Sequence, residues 1–144
     1  MAYKYHQGIF KPKFPAKYKG NPKSIFFRSG LEKRFFLEFD ENPQILFWAS
    51  EEMFVLYVSP KDNKVHRYFV DCIIETKDGK IMIEIKPYSQ CYRPKATKNT
   101  KKLITETIAY EVNQAKWKAA EAFCKEHKMK FMVCTEKDLK VIKK

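Results

Sequence analysis

Apolar and polar residues alternate most clearly in the middle of the chain, between residues 68 and 87. Two runs rich in β-branched residues, Tyr68–Thr76 and Ile81–Lys86, flank a short polar turn that contains Asp78-Gly79. Asp-Gly between such runs is typical of a two-residue hairpin loop, because both central residues of a type I′ turn need a positive φ. The pattern therefore predicts a β-hairpin centred on this turn.

The register of this hairpin decides which side chains share a face of the sheet. With Asp78-Gly79 as the loop, Glu84 lies opposite Ile73 and Lys86 lies opposite Asp71. Because side chains alternate across a strand, Asp71, Glu84 and Lys86 then point to one face, and the two carboxylates are diagonal neighbours roughly 7–8 Å apart. The residues around them have the composition of a protein core, where two carboxylates repel each other unless a proton or a metal ion neutralises them.

Two interpretations of this face are open from the residues alone. In the first, Asp71 and Lys86 form a cross-strand ion pair and Glu84 lies at an exposed edge of the sheet. In the second, Asp71 and Glu84 are oxygen ligands of a divalent cation such as Mg²⁺, and Lys86 lies near the reacting group.

Helical and strand patterns on both sides of the hairpin predict an α+β domain with a mixed sheet. Apolar residues recur at helical spacing in residues 29–40, and Asn42-Pro43 ends this helix. A parallel strand is expected at Lys130–Thr135, because it follows a helix long enough to cross over the sheet. The remaining expected elements are strands at 45–49 and 53–58, a strand at 65–68 that leads into the hairpin, a long helix at 106–128 and a short final helix capped by Thr135.

Two roles are open for Glu32 in the first helix. Ser29 and Glu32 match a capping box, in which the carboxylate helps to cap the helix N-terminus. Glu32 also lies at the edge of the apolar stripe formed by Phe35 and Phe39, which must face the sheet. From that edge it could reach the face that carries the two hairpin carboxylates.

The composition is that of one basic globular domain. The chain has 144 residues, of which 29 are Lys or Arg and 17 are Asp or Glu, giving a net charge of +12. Such a charge indicates a polyanionic partner, and nucleic acid fits better than a membrane because neither a basic amphipathic helix nor a lipidation signal is found. No apolar run has the length of a signal peptide or a membrane span. The four cysteines include no CxxC pair, which predicts reduced thiols in an intracellular protein.

Two segments without acidic residues, 1–24 and 87–105, concentrate the positive charge. Prolines and glycines in the first are expected to prevent regular structure, which makes it a basic arm in front of a single domain at 25–144. The second is expected to be a loop that directly follows the hairpin. DNA phosphates are the expected partners of both segments, with solvated surface as the alternative for each. The candidate DNA-contacting residues in these segments are Lys11, Lys13, Lys17, Lys19, Arg93, Lys95, Lys98, Lys101 and Lys102.

The order of the acidic residues resembles that of a known nuclease core. A helix with Glu32, then Asp71, then Glu84-Ile85-Lys86 resembles the signature of the PD-(D/E)xK nucleases, whose core has the order αβββαβ. Val70 stands where the signature has proline. The corresponding elements extend from residue 28 to residue 135.

Further motifs follow one another in a consistent order: Arg28-Ser29-x-x-Glu32, Trp48-x-Ser50-Glu51, Val65-His66-Arg67-Tyr68-x-x-Asp71 and Ile83-Glu84-Ile85-Lys86-Pro87. Together with the opening FKPKFPAKYKG, they resemble the head completion nucleases of T-even-type tailed phages, a family akin to the TnsA-like endonuclease domain. The resemblance runs nearly from end to end.

This resemblance implies a catalytic set and a metal site. Asp71 and Glu84, with the carbonyl of Ile85, would bind Mg²⁺, for which Mn²⁺ substitutes. Lys86 would orient or activate the attacking water and stabilise the charge that develops on the phosphate. Glu32 would contact the metal indirectly, through water, and it completes the catalytic set.

The resemblance also implies a biological setting. The chain would be a DNA endonuclease acting in phage head completion after DNA packaging, in the cytoplasm of the infected host and with or without association with the virion. Its partners would be DNA and phage head or portal and neck proteins, with no membrane and no nucleotide cofactor. Ser50-Glu51 and His66-Arg67 would support the site or grip phosphate, and Arg28 and Arg67 join the candidate DNA contacts. The alternative is a non-catalytic DNA-binding plug with a nuclease-like fold, which would have no need to keep the four site residues.

Overall fold

The computed structural model describes residues 7–95 and 100–142, which form eight strands and three α-helices. In chain order the strands are β1 (Gly8–Phe10), β2 (Ile25–Phe27), β3 (Phe47–Ser50), β4 (Phe54–Val58), β5 (Val65–Phe69), β6 (Cys72–Thr76), β7 (Gly79–Ile85) and β8 (Lys130–Cys134). The helices are α1 (Gly30–Glu41), α2 (Lys101–Glu126) and α3 (Glu136–Ile142). Within these ranges, none of the helices is long and apolar enough to cross a membrane.

The largest sheet has four strands in the order β3-β6-β7-β8. β6 pairs antiparallel with both β3 and β7, whereas β8 runs parallel to β7. α2 connects β7 to β8, so the predicted parallel pairing after a long crossover helix is confirmed. This mixed sheet with its helices confirms the predicted α+β class.

The β6–β7 hairpin has a register that differs by two residues from the predicted one. Its loop is Lys77-Asp78, so that Thr76 pairs with Gly79, and the predicted loop one residue later is wrong. Neither loop residue takes a positive φ, so the loop is not a type I′ turn, and the positive φ of 128° lies on Gly79, directly after the loop. Because the shift is even, side chains keep their predicted faces. The continuation of the register places Glu84 opposite Asp71.

The run predicted as one strand, Tyr68–Thr76, breaks at Val70 and Asp71, where β5 ends and β6 begins. β5 pairs with β4 in a separate two-stranded sheet, and Val70 N–H donates a hydrogen bond to the Met53 carbonyl at 3.2 Å. The inner face of this β4–β5 hairpin packs on α2. Its outer face exposes a row of apolar side chains: Phe54, Leu56, Val58, Val65 and Phe69.

Residues 7–24 contain regular structure, contrary to the expectation of an irregular arm. β1 pairs antiparallel with β2, and Phe10 and Tyr18 are buried. Both rings contact Trp48 edge to face, with ring centroids 5.8 and 4.8 Å apart. Burial of these apolar anchors fixes the segment to the body in spite of its prolines and glycines.

α2 begins at Lys101, before the predicted start at Glu106. The side chain of Thr100 caps the helix by accepting a hydrogen bond from Leu103 N–H at 3.1 Å. Lys101 and Lys102 consequently lie in the first turn of a helix and not in a loop. Lys98 lies outside the described residues.

Both faces of the four-stranded sheet are covered. On one face, Ile83 and Ile85 join a core built around the aromatic residues of α1. On the other face, Met82 packs with Tyr68 of β5 and with α2. Because side chains alternate along β7, Glu84 points to the same face as Met82, toward β5.

Asp40 ties the N-terminal segment to the end of α1. The side chain is 1% exposed, and its two oxygens accept hydrogen bonds from Lys13 N–H at 2.7 Å and Phe14 N–H at 3.2 Å. The Asp40 carbonyl also accepts from Lys17 Nζ at 2.8 Å. Removing the carboxylate would leave the two backbone donors without their acceptor.

Replacing Asp40 by alanine is expected to lower the free energy of unfolding by roughly 1–3 kcal/mol, because it leaves polar groups unsatisfied. Glu41→Ala is the matched control, since the exposed Glu41 carboxylate forms an ion pair with the exposed Lys13 ammonium at 3.5 Å. Such a pair contributes less than about 1 kcal/mol. Urea denaturation compares the two variants, and equal loss of stability in both would contradict the role given to Asp40.

Candidate active site

Asp71 lies where the chain passes from the β4–β5 sheet into β6. Its Oδ2 accepts a hydrogen bond from Ile85 N–H at 2.8 Å, just beyond the last pair of the β6–β7 ladder. Its carbonyl accepts a hydrogen bond from Glu51 N–H at 3.1 Å. Hydrogen bonds therefore hold both the backbone carbonyl and the side chain of Asp71, and its carboxylate is fixed against the end of β7.

Glu84 is the most buried acidic residue of this region, with 5% of its surface exposed. Its Oε1 accepts a hydrogen bond from the Tyr68 hydroxyl at 2.5 Å. Its Oε2 lies 3.8 Å from Lys86 Nζ. A buried carboxylate is costly without partners, and the phenol and the ammonium supply them.

The carboxyl of Asp71 holds its proton more tightly than an ordinary aspartic acid. Burial is the largest cause of its raised pKa, and the charge of Glu84 raises it further. The hydrogen bond from Ile85 N–H acts in the opposite direction but does not cancel these effects. Glu32 also contributes to the raised pKa, so three carboxylates lie within electrostatic reach of one another.

Glu32 serves both the helix N-terminus and this cluster. Ser29 Oγ accepts a hydrogen bond from Glu32 N–H at 3.1 Å, as the capping box predicts. The Glu32 carboxylate accepts from Arg28 N–H at 3.0 Å, one residue further back than a capping box requires. Burial raises the pKa of Glu32, the Arg28 N–H and charge lower it, and the charges of Glu84 and Lys86 also act on it. The two roles left open by the sequence are therefore compatible.

The interpretation of the hairpin as an Asp71–Lys86 ion pair is wrong. Lys86 lies nearest to Glu84, and Glu84 is buried and not at an exposed edge. The cause is the register, which brings Glu84 directly opposite Asp71 and leaves Lys86 beyond the ladder. The structure thus brings together all four residues of the predicted catalytic set: Glu32, Asp71, Glu84 and Lys86.

The donor set of this cluster fits a hard divalent cation. Asp71 and Glu84 are adjacent carboxylates whose mutual repulsion a cation would relieve. The Ile85 N–H already contacts Asp71, and in a regular strand the N–H and C=O of one residue point to the same edge, which makes the Ile85 carbonyl a further candidate oxygen ligand. No group of three or more His, Cys, Asp or Glu side chains in the described ranges is arranged to hold a metal.

Tyr68 belongs to the site, although its sequence pattern suggested only a core strand residue. Its hydroxyl donates to Glu84, and burial together with the charge of Glu84 raises the pKa of Tyr68. The phenol therefore stays protonated and remains a donor. The signal that could have identified it is the spacing Tyr68-x-x-Asp71, which puts a buried hydroxyl beside the acidic pair.

Lys116 of α2 lies beside the Tyr68 ring, and the sequence analysis did not predict that this lysine lies near the site. Its Nζ lies 5.6 Å from the ring centroid of Tyr68 and 5.9 Å from that of Tyr57. The helical spacing from Lys116 to the buried residues Ala120 and Cys124 could have indicated that this lysine faces inward.

Glu51 links the site to the predicted motif around Ser50. It adopts a positive φ of 54°, donates its N–H to the Asp71 carbonyl and pairs through its carboxylate with the Arg28 guanidinium. Arg28 in turn donates its N–H to Glu32. Glu51 and Arg28 therefore connect the two segments that carry Asp71 and Glu32.

The predicted DNA-contacting residues that the structure describes, which leaves out Lys98, fall into two groups. The first group has partners within the chain: Lys13, Lys19, Arg28 and Arg93 pair with acidic side chains, Lys17 donates to the carbonyls of Asp40 and Asn42, and Arg67 lies over the Phe54 ring. The second group is exposed and has no charged partner in the described part of the chain: Lys11, Lys95, Lys101 and Lys102. Contact with DNA stays a prediction for both groups, and the second group is the freer to bind phosphate.

Comparison with known proteins identifies the family of this chain. The family model of the TnsA-like endonuclease N-terminal domain matches residues 42–136, a range that includes Asp71, Glu84 and Lys86 but begins after Glu32. The head completion nuclease of Enterobacteria phage T4 is 36% identical over 148 residues, which cover 99% of this chain and 97% of that protein. The chain belongs to the family of TnsA-like endonucleases.

Proposed function

We propose that this chain is a Mg²⁺-dependent DNA endonuclease that acts in phage head completion and hydrolyses phosphodiester bonds at the Asp71–Glu84 site. The observation that carries the proposal is the pair of adjacent carboxylates, buried Glu84 and half-buried Asp71, with Lys86 beside it. Membership of an endonuclease family supports the reaction class, and the name of the T4 relative supports the biological role. This role would place the chain in the cytoplasm of the infected host, with phage head or portal proteins as partners.

Asp71, Glu84 and the Ile85 carbonyl would hold the metal, and Mn²⁺ is expected to replace Mg²⁺ because it accepts the same oxygen ligands. When bound, the ion would neutralise charge on the scissile phosphate and lower the pKa of water. Ile85 N–H and the Tyr68 hydroxyl keep the two carboxylates in place. Their fixed positions reduce the reorganisation needed during the reaction.

Lys86 would act on the phosphate. Its ammonium lies beside the Glu84 carboxylate and is partly exposed, so it can face both the site and an incoming DNA strand. Water attack in line with the 3′ oxygen places additional negative charge on the phosphate oxygens, and a nearby cation stabilises it. Glu32 lies at the margin of the cluster, where its carboxylate can accept a hydrogen bond from the attacking water.

Replacing Glu84 by glutamine is expected to lower the rate of DNA cleavage at least about 100-fold, because it removes a charge that the transition state requires. The same loss is expected for Asp71→Asn and for wild-type protein in EDTA. Cleavage of plasmid and linear DNA in Mg²⁺, in Mn²⁺ and in EDTA measures these effects.

Glu75→Gln is the matched control for this experiment. Glu75 is on the neighbouring strand β6, and its carboxylate pairs with Lys19 at 3.5 Å, away from the acidic cluster. It should cut DNA like the wild type. Full activity of Glu84→Gln would rule out this site, and a wild type that binds but cuts no DNA form would favour the non-catalytic plug.

The metal site also predicts a stability effect that needs no DNA. Because the folded state raises the pKa of Asp71, the folded protein binds this proton more tightly than the unfolded chain, and stability falls as the pH rises from the ordinary carboxyl value through the raised one. In EDTA, Asp71→Asn should therefore melt at a higher temperature than wild type at neutral pH. Mg²⁺ should raise the melting temperature of wild type but not that of the variant.

Asp78→Asn, in the exposed hairpin loop, is the control for this melting experiment. It should respond to Mg²⁺ and to pH as the wild type does. If Mg²⁺ stabilised Asp71→Asn as much as wild type, the cation would bind elsewhere.

DNA binding should weaken steeply with salt, since the expected partners are backbone phosphates. Changing both Lys101 and Lys102 to alanine should reduce the slope of log K against the logarithm of the salt concentration by roughly one for each phosphate that is no longer neutralised. The control pair is Lys61 and Lys64, two exposed lysines in the loop between β4 and β5. Equal slopes in the two double variants would contradict DNA binding at the start of α2.

A further inference from the structure

A cleft of about 540 Å³ lies between the loop that follows β7 and the N-terminal half of α2. Its volume is within the range of small-ligand sites. The lining combines two aromatic rings, two side-chain amides and two cations: Tyr92, Tyr110, Gln90, Asn113, Arg93 and Lys95. This combination is different from the flat basic surface that suffices to hold a DNA backbone.

The cleft is next to the proposed active site. Its loop begins at Pro87, directly after Lys86, and Cys91 Sγ donates a hydrogen bond back to the Pro87 carbonyl at 3.6 Å. Ser89, three residues after Lys86, already lines the cleft, so the cleft begins close to the site along the chain. A DNA strand at the site could therefore extend into the cleft.

Two aromatic side chains form walls that can stack on a base. The Tyr92 side chain is 58% exposed, and its hydroxyl donates to the Tyr88 hydroxyl at 2.9 Å, which holds the ring in place. Arg93 lies over the Tyr110 ring, with 5.1 Å from the guanidinium carbon to the ring centroid, and pairs with Glu111. Both rings are thus oriented before any ligand arrives.

The polar groups of the cleft match the edge and the phosphate of a nucleotide. The side-chain amides of Gln90 and Asn113 make no hydrogen bond within the described ranges, so their donors and acceptors are available. Amides and carboxylates read base edges, and Glu106 lines the same cleft. Lys95 is exposed and has no partner in those ranges, so it is free to bind a phosphate.

We propose that this cleft binds an unpaired nucleotide, so that the substrate is DNA with a single-stranded end or gap beside the scissile bond. The proposal rests on the proposed endonuclease function and adds the class of substrate. In a duplex the bases are stacked on each other and their edges are paired, so they cannot enter a concave site lined by rings and amides. An unpaired base can stack on Tyr92 while its edge contacts the amides.

DNA binding in EDTA tests the cleft without cleavage. The probes are a blunt duplex and the same duplex with an unpaired tail on the 3′ or the 5′ end, compared by fluorescence anisotropy at one salt concentration. Wild type should prefer one of the tailed duplexes roughly 5- to 150-fold, the range expected for stacking of one base. Tyr92→Ala should lose most of this preference, whereas Tyr92→Phe, which keeps the ring, should retain it.

A second readout reports stacking directly. A fluorescent base analogue, 2-aminopurine, at the first unpaired position should be quenched when wild type or Tyr92→Phe binds, and not when Tyr92→Ala binds. Asn113→Ala should reduce the tail preference without removing the quenching. Phe14→Ala is the matched control, because Phe14 is an exposed aromatic residue on the N-terminal segment, and it should behave as wild type in both measurements.

Three results would each contradict nucleotide binding in the cleft. They are equal affinity of wild type for blunt and tailed DNA, an equal loss of both affinities in Tyr92→Ala, and unchanged 2-aminopurine fluorescence when wild type binds. If Tyr92→Ala failed to fold, Asn113→Ala and the base analogue on wild type would decide. Cleavage in Mg²⁺ is measured separately. Cleavage without a tail preference would contradict nucleotide binding in the cleft but not the endonuclease proposal. Tail binding without any cleavage would contradict the endonuclease proposal and leave the cleft as a binding site.

Discussion

The hydrogen bond from Ile85 N–H to the Asp71 carboxylate is the constraint on which the site depends. This hydrogen bond lies just beyond the end of the β6–β7 ladder, where the chain crosses from the β4–β5 sheet. It holds Asp71, the residue before β6, directly opposite Glu84 of β7. Two carboxylates in such a place destabilise the metal-free fold. The Tyr68 hydroxyl, the Lys86 ammonium and the Arg28–Glu51 pair are the contacts that hold this unfavourable arrangement in a single geometry.

The rest of the fold supplies the stability that the acidic cluster lacks. The sheet is buried on both faces, by the aromatic core around Trp48 on one side and by Met82, Tyr68 and α2 on the other. Burial of this much apolar surface can offset one strained polar site. Residues 7–24 contribute to the first core through Phe10 and Tyr18, which hold this segment against the body of the fold.

The sequence predicted the class of the fold and singled out four residues that the structure places in one electrostatic cluster, but it did not predict the way in which they meet. Alternation along β6 and β7 assigned Asp71 and Glu84 to one face, and that assignment survived because the register error was an even number of residues. The error itself arose because Gly79, which has the positive φ, follows the loop and does not lie inside it, and an Asp-Gly pair in the sequence does not distinguish these two positions. Tyr68 was missed because an aromatic residue in a strand is usually a core residue, and only the tertiary contact with Glu84 makes it part of the site.

The short helix α3 connects the acidic cluster to the cleft beside it. Glu136 accepts a hydrogen bond from Tyr88 N–H at 2.9 Å, and Lys137 Nζ lies 3.5 Å from the centroid of the Tyr88 ring. The Tyr88 hydroxyl in turn accepts a hydrogen bond from the Tyr92 hydroxyl. The wall of the cleft is therefore anchored to α3, which follows β8, while β8 is paired with the strand that carries Glu84. Because both features are connected to the same sheet, the position of the Tyr88–Tyr92 wall relative to Glu84 is restrained by β8 and α3.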